Sequence, residues 1–189
     1  MNIKLIIIVS FSIIYALFEM LLSRWQKSKR TVLVTGDKGS FRWLVISISF
    51  GYWLSYIAAS MKFSRIPHWN IFFITGMCLA VTGLIIRISS VLTLSRQFTY
   101  TVTRIEDHEL IDRGLYKFLR HPGYLGQLII FLGVSVSLSN WLSITAMMVP
   151  VLAGYINRIF VEEKFMEKVM GQKYLDYKVR TWRLIPWVW

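Results

Sequence analysis

Cysteine is almost absent from this sequence. Its one thiol, Cys78, lies inside an apolar stretch, so an intramolecular disulfide is excluded. The three histidines do not combine with this cysteine into a set with the spacing of a zinc site. We therefore expect no metal centre, and we interpret Cys78 as a packing residue.

Charged residues are missing from long parts of the chain. Hydrophobic residues make up 55% of the sequence and the mean hydropathy is +0.51, above the values usual for soluble domains. Five runs approach the ~20 residues that a helix needs to cross a bilayer, and Glu19 is the one charge within them: 5–22, 43–61, 69–86, 123–139 and 141–157. The sequence predicts an all-α integral membrane protein with about five transmembrane helices. The first run lacks an A-x-A-like cleavage site, so we expect it to be retained.

Acidic residues are also scarce, with 10 against 22 lysines and arginines and a net charge of +12. Such a surplus can indicate nucleic-acid binding, but its distribution favours a membrane topology. With five spans, every cation except Lys4, Lys62 and Arg65 falls on one side. The positive-inside rule then predicts an outside N-terminus and a cytoplasmic C-terminus. We expect anionic lipid, and no nucleic acid, as the partner of this surface.

The chain shows no repeat or long linker, so we interpret residues 1–189 as a single membrane domain with three N-terminal spans over 1–88. The fourth and fifth spans are separated by little more than residues 139–141, which predicts a tight helical hairpin. Two polar pieces lie on the cytoplasmic side, 94–122 before the hairpin and 158–189 after it. In the second piece Val161–Met170 has a helical pattern, and Gly171 is a plausible end of that helix.

A polar cluster, R-H-P-G-Y-L-G at 120–126, precedes the fourth span. Pro122 suits the first turn of a helix, and the residue before a proline, His121, is pushed out of helical geometry. The helix therefore begins here, and its free N–H groups attract a carboxylate or phosphate. Tyr124 adds a hydroxyl, and Gly126 is expected to leave a gap through which a ligand can approach the backbone.

A second charged cluster lies at the inner end of the fifth predicted span. Arg158 and Glu162 are four residues apart on one helical face, and Glu163 is adjacent. A structural Arg–Glu pair is one interpretation, because charges at a membrane boundary are costly unless they are paired or used. The hairpin favours another, since it brings R-H-P-x-Y next to R-x-x-x-E-E. The zwitterion of an amino acid matches this pairing, with Arg or His for its carboxylate and Glu for its ammonium.

These motifs carry a family resemblance. The run H-E-L-I-D-R-G-L-Y-K-F-L-R-H-P-G-Y-L-G, then Asn140, R-I-F-V-E-E and K-Y-L-D-Y, resembles the isoprenylcysteine carboxyl methyltransferases. It is more loosely similar to the wider group of membrane methyltransferases that includes phospholipid N-methyltransferases. The resemblance covers residues 92–186, the expected catalytic half. No G-x-G-x-x-G follows a strand, which excludes a soluble Rossmann-type methyltransferase.

The resemblance implies that S-adenosylmethionine is held at the cytoplasmic face, between 94–122, the hairpin and the tail. By similarity, the stretch 108–116 wraps the adenosine and the later motifs hold the methionine part. The implied cofactor-binding residues are His108, Leu110, Tyr116, His121, Pro122, Tyr124, Glu162 and Glu163.

Methyl transfer from a sulfonium to a carboxylate does not require a general acid or a general base. The leaving group departs as a neutral thioether, and a carboxylate is already ionised at pH 7. Positioning then becomes the main task of the protein. We hypothesise that Arg158, or failing that Arg120, orients the carboxylate of a lipid-linked substrate such as a prenylcysteine, which enters from the bilayer.

Three alternatives stay open at the level of sequence. One is a phospholipid or amine N-methyltransferase that uses the same cofactor. Another is a membrane sterol or enone reductase, because that family carries a similar R-H-P-x-Y-x-G, although an acidic residue usually stands where this chain has Gln127. The third is a membrane scaffold that binds without reacting.

Overall fold

Six α-helices and two short strands make up the part of the chain that the computed structural model describes, which is residues 2–27, 32–35, 39–95, 103–105 and 110–189. In chain order they are α1 (Ile3–Lys27), β1 (Val32–Thr35), α2 (Ser40–Ser60), α3 (Trp69–Leu94), β2 (Thr103–Ile105), α4 (Pro122–Ser137), α5 (Trp141–Met170) and α6 (Gln172–Arg180). Single 3-10 turns lie at Lys62–Ser64 and Gly114–Lys117.

Within the described ranges, four helices are long and apolar enough to cross a membrane, namely α1, α2, α3 and α5. The predicted helical membrane architecture is therefore confirmed, but the predicted fourth span is shorter than expected. Helix α4 has 16 residues, which at 1.5 Å per residue is about 24 Å, against a hydrocarbon core of about 30 Å. At 16 residues it is shorter than α1, α2, α3 and α5, which have 21 to 30 residues.

The predicted hairpin between α4 and α5 is confirmed, and Asn140 fixes it. Its side chain is fully buried and caps α5 by accepting a 3.0 Å hydrogen bond from the Ser143 amide. Its amide nitrogen donates to the carbonyls of Ala58 and Met61, both at 3.1 Å, at the end of α2. One side chain therefore holds the start of α5 to the end of α2, as buried polar groups require partners.

Helices α3 and α4 pack through small residues. A Cβ placed on Gly126 would lie 2.7 Å from the Arg87 amide nitrogen and 2.8 Å from the Gly83 carbonyl oxygen. A Cβ on Gly133 would lie 2.5 Å from the Ala80 amide nitrogen. The expected ligand gap at Gly126 is therefore wrong, because α3 fills it. Close approach of two backbones through small residues is typical of membrane helices.

Helix α5 runs on from the membrane into the predicted tail without a break. It spans 30 residues, about 45 Å at the α-helical rise, so its last three turns project beyond a bilayer core. The helical prediction over 161–170 is confirmed, and Gly171 ends the helix with φ +56°. Helix α6 then turns back toward the start of α4.

The two strands add a small antiparallel sheet to the predicted helical fold. Strand β1 pairs with β2 in a register that sets Val32 opposite Ile105 and Thr35 opposite Thr103.

Candidate active site

A cavity of about 500 Å³ lies among the helices, and all six of them contribute residues to its lining. Its apolar part is lined from α1, α2 and α4 by residues such as Ala16, Ile48 and Phe131. Its polar part collects residues from every one of the six helices and the Gly114–Lys117 turn: Glu19, Ser49, Arg87, Tyr116, Arg120, His121, Tyr124, Arg158, Glu162, Tyr174 and Tyr177. A single space is therefore ionic at one end and apolar at the other.

The first turn of α4 meets α5 inside this cavity. The Tyr124 hydroxyl donates a 2.6 Å hydrogen bond to Oε2 of Glu162. This contact is the convergence that the hairpin predicts for R-H-P-x-Y and R-x-x-x-E-E. Both side chains line the cavity, so a carboxylate and a phenol face the same ligand space.

Arg158 lies one helical turn before Glu162 and is almost entirely buried, with 1% of its surface exposed. Its Nε donates to the Tyr124 hydroxyl at 3.3 Å, and its Nη1 donates to Oγ of Ser40 at 2.6 Å. Ser40 is the first residue of α2. The guanidinium therefore ties α5 to α4 and α2, in addition to forming part of the cavity wall.

His121 and Pro122 begin α4 as predicted. Pro122 occupies the first turn, and His121 caps the helix with φ −125° and ψ 53°, outside helical geometry. The imidazole lies parallel to the Tyr124 ring, at 3° and a centroid distance of 5.4 Å. His121 lines the cavity, whereas Pro122 is absent from the described lining residues. Pro122 accordingly shapes the helix start, and the His121–Tyr124 stack faces the ligand space.

Glu163 lies next to Glu162 in sequence but on another side of α5. Among the described residues that line the cavity, Glu163 does not occur. It is 2% exposed and accepts hydrogen bonds from Arg120 Nε (2.8 Å), His121 Nε2 (3.3 Å) and Arg183 Nη2 (3.0 Å). The two predicted cofactor glutamates therefore have different surroundings.

Arg120, the second predicted substrate-orienting cation, is engaged with the tail. Besides Glu163, its guanidinium donates to the backbone carbonyls of Lys178, at 3.1 Å, and of Thr181. It also borders the cavity. Its main chain continues the same contact, since the Arg120 amide donates to the Trp182 carbonyl at 2.8 Å.

The predicted adenosine-wrapping stretch is described only in part. Leu110 and Tyr116 both line the cavity, whereas His108 lies outside the described residues. Burial raises the pKa of the Tyr116 hydroxyl above its usual range, so this group stays a neutral hydrogen-bonding phenol. Tyr177 supports the stretch by donating to the Tyr116 carbonyl at 2.7 Å.

Two tyrosines of the tail were not expected in the site. Aromatic residues that flank membrane spans are usually interfacial anchors, but Tyr174 and Tyr177 are both buried and line the cavity. Helix α6 carries its charged residues on its outer face and these rings on its inner face. The three-residue spacing of the two rings on a short polar helix was the available signal.

An ion pair within the apolar helices was also missed. Arg87 of α3 donates from Nε and Nη2 to the two carboxylate oxygens of Glu19, each at 2.9 Å. Tyr15 adds a 2.9 Å hydrogen bond to the same carboxylate. Arg24 lies nearer to Glu19 in sequence, whereas the ion pair of Glu19 is with Arg87 on another helix. Intramembrane charges usually face a protein interior and a partner, which was the signal.

The position of Arg87 depends on Gly123. A Cβ at Gly123 would lie 2.9 Å from Arg87 Nη1 and 3.9 Å from the Tyr116 hydroxyl. Arg87 therefore reaches the ligand space beside the first turn of α4. It is the third guanidinium in the cavity wall, with Arg120 and Arg158.

Together, fold and site define a helical membrane protein whose polar ligand space opens into an apolar one within the same bundle. A family model described as phospholipid methyltransferase matches residues 71–173. Protein-S-isoprenylcysteine O-methyltransferase B of Arabidopsis thaliana is 34% identical over 138 residues, which are 71% of this chain and 70% of the relative. A probable enzyme of the same name from Oryza sativa subsp. indica is 31% identical over 146 residues, 76% of each chain.

A solved structure points the same way. The eukaryotic intramembrane Ras methyltransferase, an isoprenylcysteine carboxyl methyltransferase, superposes with a TM-score of 0.54 at 27% identity, over 79% of this chain and 50% of that chain. The chain thus belongs to the integral membrane methyltransferase family that contains the protein-S-isoprenylcysteine O-methyltransferases. The family resemblance seen in the sequence is confirmed.

Proposed function

We propose that this protein uses S-adenosylmethionine to methylate the carboxylate of a lipid-linked acceptor, such as a prenylcysteine, at the cytoplasmic face of a membrane. The observation that carries the proposal is the two-part cavity. Its ionic end suits a water-soluble zwitterion, and its apolar end suits a lipid chain. The zwitterion and the lipid-linked acceptor would therefore come together where the ionic and apolar parts of the cavity meet.

The donor set of the polar end fits the cofactor. Glu162 offers a carboxylate to an ammonium group, and the His121–Tyr124 stack offers aromatic faces to a sulfonium cation. Leu110, Tyr116, Tyr174 and Tyr177 add apolar surface and neutral hydroxyls suited to a nucleoside. When bound, the cofactor would supply an electrophilic methyl group and a neutral thioether as leaving group.

The protein's own contribution is positioning and exclusion of water. Because the acceptor carboxylate is ionised at pH 7, no general base is required of the site. Holding two reactants in attack geometry can lower a barrier by about 7–11 kcal/mol. Tyr124 is well placed for this task, since Glu162 and Arg158 fix its hydroxyl from two sides.

A cation in the cavity wall would orient the acceptor carboxylate. Arg158 and Arg120 remain candidates from sequence, and the geometry favours Arg87. Arg120 is directed toward Glu163 and the tail, and Arg158 toward Ser40 and Tyr124. Arg87 already holds a carboxylate, that of Glu19, in the bidentate arrangement that suits guanidinium. Arg87 lines the cavity beside Gly123, so its guanidinium borders the ligand space.

A phospholipid or amine N-methyltransferase is the second candidate, because the matched family model bears the name phospholipid methyltransferase. An ammonium acceptor has to lose a proton before it attacks. Glu162 is the described carboxylate in the polar end that faces Tyr124 and the ligand space, and it would have to accept that proton.

One labelling experiment separates these functions. The purified protein is incubated with methyl-labelled S-adenosylmethionine and N-acetyl-S-farnesylcysteine, with the carboxamide of the same compound as control. Base-labile label on the acid alone supports carboxylate methylation. Base-stable label in a total lipid extract, with none on the farnesylcysteine, supports N-methylation. The absence of S-adenosylhomocysteine binding would contradict both.

A further inference from the structure

Glu163 is the centre of an ionic cluster that joins three separate parts of the chain. Arg120 and His121 reach it from the start of α4, Lys178 from α6 at 3.8 Å, and Arg183 from the segment after α6. Because the carboxylate is buried, water does not compete for these contacts, and they are stronger than surface ion pairs. One side chain thus connects α4, α5, α6 and the C-terminal segment, defined here as residues 181–189.

The C-terminal segment lies along the residues that precede α4. The Trp182 amide donates to the Phe118 carbonyl at 3.0 Å, and the His121 amide donates to the Arg183 carbonyl at 3.2 Å. Residues Leu119 and Trp182 form a parallel bridge between the two stretches. The segment therefore sets the backbone of His121, a residue of the cavity wall.

Aromatic rings hold the Arg183 side chain in addition to its ion pair with Glu163. Its guanidinium lies 5.1 Å from the centre of the Phe160 ring and 4.8 Å from that of Trp189. Beyond it, Leu184 is buried in the core. Arg183 is absent from the described lining of the cavity, so any effect of this side chain on a ligand has to pass through other residues.

We propose that Glu163 is a positioning residue and not a cofactor ligand: it fastens the C-terminal segment and the His121 imidazole so that the cofactor side of the cavity has its shape. Glu162, its neighbour in sequence, is the glutamate that contacts the ligand. This inference rests on the proposed cofactor site, and it divides the two glutamates of the V-E-E motif between contact and support.

The physical reason is the arrangement of charge. Replacing Glu163 by glutamine keeps the shape but leaves Arg120 and Arg183 facing each other without a counter-charge, whereas Lys178 keeps its ion pair with Glu167. Like charges in a buried site repel, so the C-terminal segment would separate from residues 118–121. The His121–Tyr124 stack would then lose its backbone support.

The test uses three variants of the full chain, Glu162→Gln, Glu163→Gln and Arg183→Gln, with two measurements. Calorimetry gives the affinity for S-adenosylhomocysteine. Hydrogen–deuterium exchange of the peptides covering 118–121 and 182–184 reports the backbone contact. Glu162→Gln is expected to weaken binding with exchange unchanged.

Glu163→Gln is expected to weaken binding about 10- to 100-fold, the loss typical of supporting partners of a ligand-binding group, and to accelerate exchange in both peptides. Arg183→Gln, which touches no ligand, should change both measurements in the same direction by less. Glu163→Gln should also weaken binding less in the Arg183→Gln background than in the wild type.

Two results would overturn the inference. Weaker binding by Glu163→Gln with unchanged exchange would make Glu163 a direct ligand. Faster exchange with unchanged binding would show that the C-terminal segment is no part of the site. Failure of the proposed function is seen separately, as a wild-type protein that binds no S-adenosylhomocysteine. If Glu163→Gln does not fold, Arg183→Gln still tests the inference through the same two measurements, because Arg183 is partly exposed and its replacement is better tolerated.

Discussion

The hydroxyl of Tyr124 and the carboxylate of Glu162 lie 2.6 Å apart, although 38 positions separate them in the chain. The contact closes the wall of the cavity where α4 begins and where α5 leaves the membrane. Its geometry depends on the hairpin at the opposite end of the two helices. The short connection at 139–141 makes α4 and α5 antiparallel neighbours, and the contact lies at their other end.

Tyr124→Phe is expected to keep the stack on His121 and to lose the hydrogen bond to Glu162. A hydrogen bond to a charged group contributes about 1.5–3 kcal/mol, so affinity for S-adenosylhomocysteine should fall roughly tenfold or more. Calorimetry measures this affinity. Tyr56→Phe is the control, because it removes a hydroxyl whose described hydrogen bond is a 3.3 Å contact with Ser12, and Tyr56 is absent from the described cavity lining. Equal affinity of both variants would argue against a ligand role for Tyr124.

The Glu19–Arg87 pair predicts a non-additive double variant. Arg87→Gln alone leaves a buried carboxylate without its cation, which costs about 3–5 kcal/mol in typical proteins. Glu19→Gln/Arg87→Gln removes both charges and should recover most of that loss in thermal unfolding. If Arg87 binds the acceptor, this stable double variant should also lose the preference for N-acetyl-S-farnesylcysteine over its carboxamide. A retained preference would return the role to Arg158 or Arg120.

Gly126→Ala should separate α3 from α4. The new methyl group would overlap backbone atoms at 2.7 and 2.8 Å, which cannot move like a flexible side chain. We expect a loss of about 1–3 kcal/mol in the free energy of unfolding, or more. Gly51→Ala is a graded comparison, since its nearest atom is 3.1 Å away. A Gly126→Ala protein as stable as Gly51→Ala would contradict the close packing described for this helix pair.

Asn140→Ala should lower stability without touching the ligand space. It removes the cap of α5 and two hydrogen bonds to α2 carbonyls, a loss of about 1–3 kcal/mol. Asn140→Asp keeps the acceptor of the cap but sets a buried carboxylate against the carbonyl oxygens of Ala58 and Met61, so it should be the least stable of the three. Thermal unfolding ranks the three proteins, and calorimetry on the folded fraction should show equal affinity for S-adenosylhomocysteine. A weakened affinity would mean that the hairpin end is coupled to the site.

Several features were predictable because they depend on neighbours in sequence. Pro122 and His121 mark the start of α4 through the steric rules of proline. The short connection at 139–141 requires α4 and α5 to be antiparallel, which brings Tyr124 to Glu162. Predicting the polar site therefore required one statement about tertiary structure, that α4 and α5 are antiparallel neighbours. The length of the loop is sufficient to predict it.

Other features depend on which helices become neighbours. Glu19 could pair with Arg24 on its own helix or with a cation elsewhere, and only the tertiary arrangement that brings Arg87 of α3 within reach selects that partner. The ligand gap expected at Gly126 was filled for the same reason. Tyr174 and Tyr177 have the composition of interfacial anchors, and the return of α6 to the start of α4 buries them instead.

The sequence by itself determined a helical membrane protein, the hairpin and the residues of the R-H-P-x-Y and E-E motifs, since these follow from hydropathy, loop length and proline geometry. Only the tertiary structure decided that Glu162 faces the ligand space and Glu163 the ionic cluster. Adjacent residues on a helix point about 100° apart. Their surroundings are therefore set by whichever elements pack on each side, which no local pattern specifies.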